Sequence, residues 1–234
     1  GASQSAPENT LPAIKKAMYD KTDGIEIDVQ LTKDKEVVVF HDEWVNRTTN
    51  GKGFICDLTY EKLQRLDAGS WFHPKFQGTK IPLLREVLKL IQGQPILLNI
   101  ELKNNLIPYP GLEEKTIQLI KQYHLEEQVL ISSFKKESLK RCQQLAPEIK
   151  RGLVCWHISE PQKVHTEWKS LELYSLHLPV ALVNRKVKLW QALGYKVFPY
   201  VVESKDQLKL CVYYQVDGFF TNTPRSCKKM LQYL

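Results

Sequence analysis

The sequence contains no long apolar run. No segment reaches the roughly 18 uninterrupted apolar residues that a membrane-spanning helix needs. No basic segment leads into an apolar stretch in the manner of a secretory signal. We therefore expect no stable insertion into a membrane.

Cysteine is scarce and scattered. The five cysteines are odd in number and far apart, and no two of them have the Cys-x-x-Cys spacing of a zinc or redox site. We expect them to be ordinary small buried residues in a reducing, cytoplasmic setting. They are Cys56, Cys142, Cys155, Cys211 and Cys227.

Signatures of nucleic-acid binding are also missing. The 33 basic residues exceed the 26 acidic ones and give a net charge of +7, but they are spread along the chain. There is no zinc-finger spacing, RNP motif or arginine-rich arm. We expect no nucleic-acid partner; the charge describes either a solvated basic surface or a preference for small anionic substrates.

What is present is a regular alternation of strand-like and helix-like segments. Such alternation predicts an α/β fold with parallel strands. The 234 residues show no repeat or linker and suit one barrel domain, 1–234, of the (β/α)8 kind, which typically has about 250 residues. Strands are predicted at 24–30, 36–40, 96–102, 128–132, 151–155, 172–177, 196–202 and 217–221. Helices are predicted after Asn9-Thr10, from Pro82, and at 111–123, 135–145, 184–193, 204–214 and 224–233.

Residues 43–80 interrupt this alternation. They contain a turn at Asn50-Gly51 and an aromatic run, Trp71-Phe72-His73-Pro74-Lys75-Phe76. Long excursions after a strand are usually functional in this fold class. We predict that residues 43–80, hereafter the lobe, lie over the mouth of the barrel.

Two strand-like segments carry charged residues where a buried strand should be apolar. Glu26 and Asp28 alternate onto one face of the first, and Glu101 and Lys103 onto one face of the other. The carboxyl ends of barrel strands meet at one mouth, so we expect these side chains to converge there. Three oxygen ligands suit Mg²⁺ or Ca²⁺ better than zinc. The alternatives are a solvated strand face for the first pair and a structural ion pair for the second.

His41 follows the apolar strand Val37-Val38-Val39-Phe40 directly. A lone histidine is more often structural, but a His-Asp pair at a strand end beside a metal site suits proton transfer near neutral pH. The residues alone therefore indicate metal-assisted chemistry on an anionic substrate. His177 is a weaker candidate for the same pocket.

Ordered motifs along nearly the whole chain resemble the glycerophosphodiester phosphodiesterase family. They begin at Gly1-Ala2-Ser3 and Ala6-Pro7-Glu8-Asn9-Thr10, and are densest at 23–34. They continue at 39–42, 47–51, 66–69, 81–84, 99–103, 131–134 and 216–218. Their order and spacing make the resemblance specific.

The resemblance implies a TIM-type barrel with an inserted lobe after the third strand. It implies hydrolysis of glycerophosphodiesters to sn-glycerol 3-phosphate and an alcohol. Glu26, Asp28 and Glu101 match the family's metal ligands, His41 one of its two catalytic histidines, and Lys103 a contact to the substrate phosphate. The glycerol 2-hydroxyl would be the internal nucleophile, and His41 would move a proton on the alcohol.

The family pattern also has a His-Arg pair just before the Gly-Ala-Ser motif, at the end of the first strand. The sequence starts at that glycine. We expect the natural protein to extend upstream and to supply this strand, the second histidine and the phosphate-binding arginine. Without them we expect a catalytically inactive module that binds a phosphoester or a metal.

Two residues near the carboxyl end depart from the family pattern. Tyr200, expected at the substrate-binding rim, stands where the family often has tryptophan, and Asn222 stands where aspartate is common. A lysophospholipid is an alternative substrate, since the aromatic run of the lobe could line a groove for an acyl chain. The oligomeric state is not predicted.

Overall fold

The computed structural model describes residues 1–157 and 161–234. Its barrel is formed by one sheet of seven strands. The strands are β1 (Gly24–Leu31), β2 (Val37–Val39), β3 (Leu97–Leu102), β4 (Val129–Ser133), β5 (Lys150–Val154), β6 (Ser175–Pro179) and β7 (Lys196–Tyr200). Their spatial order is β2-β1-β3-β4-β5-β6-β7. β1 and β2 form an antiparallel hairpin, and every later pairing is parallel.

Helices alternate with these strands. They are α1 (Leu11–Tyr19), α2 (Tyr60–Arg65), α3 (Leu84–Ile91), α4 (Leu112–Gln122), α5 (Lys136–Leu145), α6 (Pro161–Trp168), α7 (Lys186–Ala192), α8 (Lys205–Tyr213) and α9 (Pro224–Leu231). The predicted barrel class is confirmed, and the lobe follows β2. No helix in the described ranges is long and apolar enough to cross a membrane.

Alternation along β1 separates the hydrophobic core from the site. Ile25, Ile27 and Val29 are buried in a cluster with residues of α1, α3 and α4. The intervening side chains of Glu26, Asp28 and Gln30 therefore point to the opposite face of the sheet. The lobe has a hydrophobic cluster of its own around Val45, Ile55 and Leu63, joined to Val38 and Phe40.

The prediction of a strand at 217–221 is wrong. Asp217 N donates to Val197 O of β7 at 3.1 Å, and Phe220 N donates to Pro199 O at 2.8 Å. These two donors are three residues apart. In a regular parallel ladder, the donors to one neighbouring strand are two residues apart. The Asp217 carboxylate also accepts from Val197 N at 2.9 Å. A side chain thus occupies a backbone donor that a neighbouring strand would use.

The helix predicted to start at Pro82 starts at Leu84. Pro82 O accepts from Val39 N at 2.8 Å, and Leu83 bridges Val38, so both residues extend the β1–β2 hairpin. Glu86 then caps the helix by accepting from Leu83 N at 2.8 Å. Helix α6 was not predicted; it begins at Pro161, a residue suited to the first turn of a helix.

Candidate active site

Parallel pairing of β1 with β3 brings the predicted carboxylates together. Asp28 lies opposite Glu101 in the register, and Glu26 lies opposite Asn99. One oxygen from each of Glu26, Asp28 and Glu101 lies within 4.8 Å of the others. The sequence prediction that three acids from two distant segments converge is confirmed in geometry, and the solvated-face alternative is wrong for Asp28, which is buried.

Lys103 balances part of this negative charge. Its Nζ lies 3.3 Å from Glu101 Oε1 and 3.8 Å from Asp28 Oδ1. Burial acts to lower the pKa of Lys103, but Asp28 and Glu101 together outweigh it and raise that pKa. Lys103 therefore stays protonated, as a contact for a phosphate oxygen requires.

The single positive charge of Lys103 does not compensate the negative charge of all three acids. Burial and the neighbouring Asp28 raise the pKa of Glu101 to about 7 and that of Glu26 well above its usual value. Asn99 Oδ1 is buried without a hydrogen-bond partner among the described residues, and Glu101 Oε1 has only the ion pair with Lys103 Nζ at 3.3 Å. Clustered carboxylates with unsatisfied oxygens fit a hard divalent cation.

Asn9 positions one of these acids. Its Nδ2 donates to Asp28 Oδ2 at 2.8 Å, and its Oδ1 accepts from Asp28 N at 3.1 Å. Asn9 has a φ of 53°, a left-handed conformation that asparagine tolerates better than most residues. From the sequence, Asn9 was predicted only as part of a helix start.

His41 follows β2, and hydrogen bonds hold its backbone. Buried Gln30 donates to the carbonyl oxygens of Phe40, His41 and Asp42 at 2.9, 3.2 and 2.7 Å. Tyr109 Oη donates to Gln30 Oε1 at 2.7 Å and fixes the amide. The sequence signal for Gln30 was its place on the Glu26–Asp28 face of β1.

The His41 ring is oriented by its neighbour. Its Nδ1 lies 2.7 Å from Asp42 Oδ1. Hydrogen bonds from Arg47, above all, lower the pKa of Asp42 to about 2, so this carboxylate is ionised near neutral pH and Nδ1 carries the proton that it accepts. Nε2 is then left for the substrate, and half of the His41 side chain is exposed.

Tyr200 and Asn222 occupy different parts of the carboxyl half. Tyr200 Oη donates to Cys155 O at 2.8 Å, and burial raises its pKa. Asn222 Oδ1 accepts from Ser3 Oγ at 2.7 Å while its Nδ2 donates to Glu203 at 3.0 Å. An aspartate at this position could not make the second bond, since an ionised carboxylate only accepts.

His177 is a core residue rather than a member of an open pocket. It is 1% exposed, its Nε2 lies 3.0 Å from Ser175 Oγ, and the rings of Phe198 and Phe220 pack against it. Gly152 provides the space, because a Cβ there would lie 2.8 Å from His177 Nε2. Burial lowers the pKa of His177 to about 3.

This burial predicts acid sensitivity. In the unfolded chain His177 has a pKa near 6.5, so between about pH 6.5 and 3 the unfolded state binds the extra proton and stability falls as the pH drops. We expect the native protein to lose up to about 1.4 kcal/mol more per pH unit in that window than a His177→Gln variant. Urea unfolding at several pH values measures this difference. His124→Asn, at an exposed histidine, is the control; equal pH slopes for native protein and His177→Gln would contradict the prediction.

Comparisons with known proteins agree with this geometry. Residues 1–226 match the Glycerophosphoryl diester phosphodiesterase family. A glycerophosphodiester phosphodiesterase of Caldanaerobacter subterraneus subsp. tengcongensis is 43% identical, over 97% of this chain and 93% of its own length. One from Bacillus altitudinis is 38% identical, over 96% and 92% respectively.

A solved structure extends the comparison to three dimensions. A phosphodiesterase of Oleispira antarctica, in complex with the product sn-glycerol-3-phosphate, has a TM-score of 0.88 and 31% identity, covering 99% of this chain and 94% of its own. The molecule is thus a phosphodiester hydrolase built on a TIM-type barrel. More narrowly, the chain belongs to the glycerophosphoryl diester phosphodiesterase family.

Proposed function

We propose that this chain hydrolyses glycerophosphodiesters to sn-glycerol 3-phosphate and an alcohol at the site formed by β1, β3 and His41. The observation that carries the proposal is the convergence of three carboxylates within 4.8 Å beside a lysine and an oriented histidine. The product bound by the Oleispira antarctica relative supports the same chemistry. We propose a cytoplasmic location from the five free thiols.

Glu26, Asp28 and Glu101 would hold a divalent cation, Mg²⁺ or Ca²⁺. Such an ion neutralises the charge of a phosphodiester and polarises its phosphorus–oxygen bonds. The side chains supply the rest: Lys103 binds a phosphate oxygen as a point charge, and Asn9 keeps the Asp28 carboxylate in its orientation. Tyr200 would contact the substrate from the end of β7.

His41 acts on the alcohol. Its Nδ1–H is bound to Asp42, so proton transfer takes place at Nε2, which donates to the departing alcohol oxygen. The glycerol 2-hydroxyl, already tethered to the same phosphorus, is the internal nucleophile of this proposal. Because it is tethered, its attack needs little additional ordering. Its oxygen bonds to phosphorus as the bond to the alcohol breaks, and its proton passes to water or to a base of the site. Water then opens the resulting cyclic phosphate to give sn-glycerol 3-phosphate.

The aromatic run of the lobe bears on substrate size. Trp71 packs edge-on against Phe72, and Phe72 against Phe76, with centroids 5.7 and 5.6 Å apart. Trp71 Nε1 also donates to Ala68 O at 3.0 Å. These rings pack on one another within the lobe, which supports a small, water-soluble substrate over a lysophospholipid.

The direct test is release of sn-glycerol 3-phosphate from glycerophosphocholine. The full-length protein should release it with added Mg²⁺ or Ca²⁺ and lose at least about 100-fold in rate with chelator, because the charge of the acids and of the phosphate is then uncompensated. Lysophosphatidylcholine, with the same headgroup and an acyl chain, should be hydrolysed more slowly. Turnover that survives the chelator would refute the metal assignment, and faster turnover of the lysolipid would refute the substrate assignment.

A further inference from the structure

The His41 side chain is held indirectly, through its neighbour Asp42. Gln30 fixes the backbone of residues 40–42, but the only side-chain partner of the ring recorded in the described ranges is Asp42, at 2.7 Å. The direction of Nε2 therefore depends on the plane of the Asp42 carboxylate. Any group that fixes the plane of the Asp42 carboxylate therefore also fixes the direction of His41 Nε2, the proton donor.

Arg47 fixes it with two hydrogen bonds. Its Nε donates to Asp42 Oδ2 at 2.6 Å and its Nη2 to Asp42 Oδ1 at 2.8 Å. Two parallel bonds from a planar guanidinium to a carboxylate align both groups. Oδ1 is thus shared between Arg47 and His41, which sets the direction in which it receives Nδ1–H.

Glu8 holds the other side of the guanidinium. Arg47 Nη1 donates to Glu8 Oε2 at 2.9 Å, and Nη2 to Glu8 Oε1 at 2.5 Å. The next residue, Asn9, binds Asp28 of the carboxylate cluster. Glu8 and Asn9, which are adjacent in the chain, therefore support both parts of the site. Glu8 acts on His41 through Arg47 and Asp42, and Asn9 holds the proposed cation ligand Asp28 directly.

This network contributes little to folding. The Arg47 side chain is 48% exposed, and exposed ion pairs add little stability. The same residues, Glu8, His41 and Asp42, could in principle surround a cation, but the Arg47 guanidinium already supplies the positive charge between the two acids.

We propose that Arg47, anchored by Glu8, is a positioning residue that aims His41 Nε2 at the leaving alcohol through Asp42. The inference rests on the proposed function. Without Arg47 the Asp42 carboxylate can rotate, and a misplacement of the donor by about 1 Å is enough to cost roughly 100-fold in rate.

The leaving group separates positioning of an acid from general damage. When the phosphorus–oxygen bond to choline breaks, the electron pair goes to the alcohol oxygen, which must receive the proton from Nε2. When the leaving group is p-nitrophenol, the departing oxygen is stable as an anion and needs no proton. A variant with a misplaced acid is therefore slow on the first substrate and nearly normal on the second.

The experiment compares kcat and KM on glycerophosphocholine and on glycerol 3-phosphate esterified to p-nitrophenol. We expect Arg47→Gln to lower kcat about 10- to 100-fold on the choline ester and less than about 3-fold on the nitrophenyl ester, with KM little changed. His41→Ala should show the same selectivity with a larger loss. Arg47→Lys keeps the charge but not the fork, so most of the loss should remain.

Arg85→Gln is the matched control, because Arg85 is 46% exposed and binds Glu36 at 2.7 Å, and Glu36 precedes β2 whereas His41 follows it. It should match the native protein on both substrates. The proposal is overturned if Arg47→Gln behaves like Arg85→Gln, if both substrates slow equally, or if Arg47→Lys is fully active. A failure of the proposed function would look different, since the native protein itself would then release no glycerol 3-phosphate.

Discussion

Replacing His41 with alanine is expected to lower the turnover of glycerophosphocholine by about 10²- to 10⁴-fold, the range that a positioned general acid or base contributes. The ring has no structural duty that would cause this loss, because its side chain is half exposed and Gln30 holds the backbone independently. The affinity for Mg²⁺ or Ca²⁺ should stay within about 3-fold, since His41 is not among the clustered acids Glu26, Asp28 and Glu101.

Steady-state kinetics with calorimetric titration of the metal checks both parts. His124→Asn serves as the control, because His124 is exposed on another part of the barrel and asparagine tolerates its left-handed φ of 55°. Near-native turnover by His41→Ala would remove the histidine from the mechanism. A parallel loss of metal affinity would instead place it among the ligands.

Removing one of the clustered acids is expected to abolish metal-dependent stabilisation. At a metal concentration of about 100 times Kd, binding adds roughly 2.7 kcal/mol to the native state. For a chain of this size that corresponds to a Tm increase of roughly 5–10 °C. Asp28→Ala, Glu26→Ala and Glu101→Ala should each weaken binding by more than about 100-fold, because even supporting residues around a metal are worth 10- to 100-fold.

The metal-free variants make the test sharper. Burial and mutual repulsion already raise the pKa values of Glu26 and Glu101, so losing one carboxylate relieves repulsion within the cluster. We therefore expect the Tm of metal-free Glu101→Gln to equal or exceed that of the native protein. Glu114→Gln, at an exposed acid paired with Arg141, should keep the full metal response. A Glu101→Gln protein that still gains stability from metal would contradict the assignment.

The sequence was informative wherever a residue violated its local pattern. Acids inside an apolar strand stand out, and the alternation of strands and helices predicts parallel strands whose carboxyl ends meet. The register of β1 with β3 is known only from the structure. His41 was detectable because it ends an apolar strand. The sequence therefore predicted the fold class and the convergence of Glu26, Asp28 and Glu101, with Lys103 beside them.

Long-range partners were beyond that reasoning. Arg47 and Glu8 are 39 residues apart, and although each stands in a segment that resembles the family, neither segment shows which residue the other contacts. Gln30 and Tyr109 are 79 residues apart. Nothing in a single segment reveals such contacts, because only the folded chain brings the two members together. The wrong strand at 217–221 has a similar cause, since the Asp217 side chain competes for a backbone donor of β7.

The adjacency of Glu8 and Asn9 limits how the length of the chain can vary. Their side chains reach two different parts of the site, so inserting or deleting one residue between Pro7 and Thr10 would misalign at least one of them. The turn at Gly78 is constrained differently. A side chain there would meet open space, although the Gly78 N–H donates to Asp67 Oδ2 at 2.9 Å and the φ of 81° favours glycine. Loop extensions for engineering or for acquiring new specificity are therefore compatible with the turn at Gly78 and incompatible with residues 7–10.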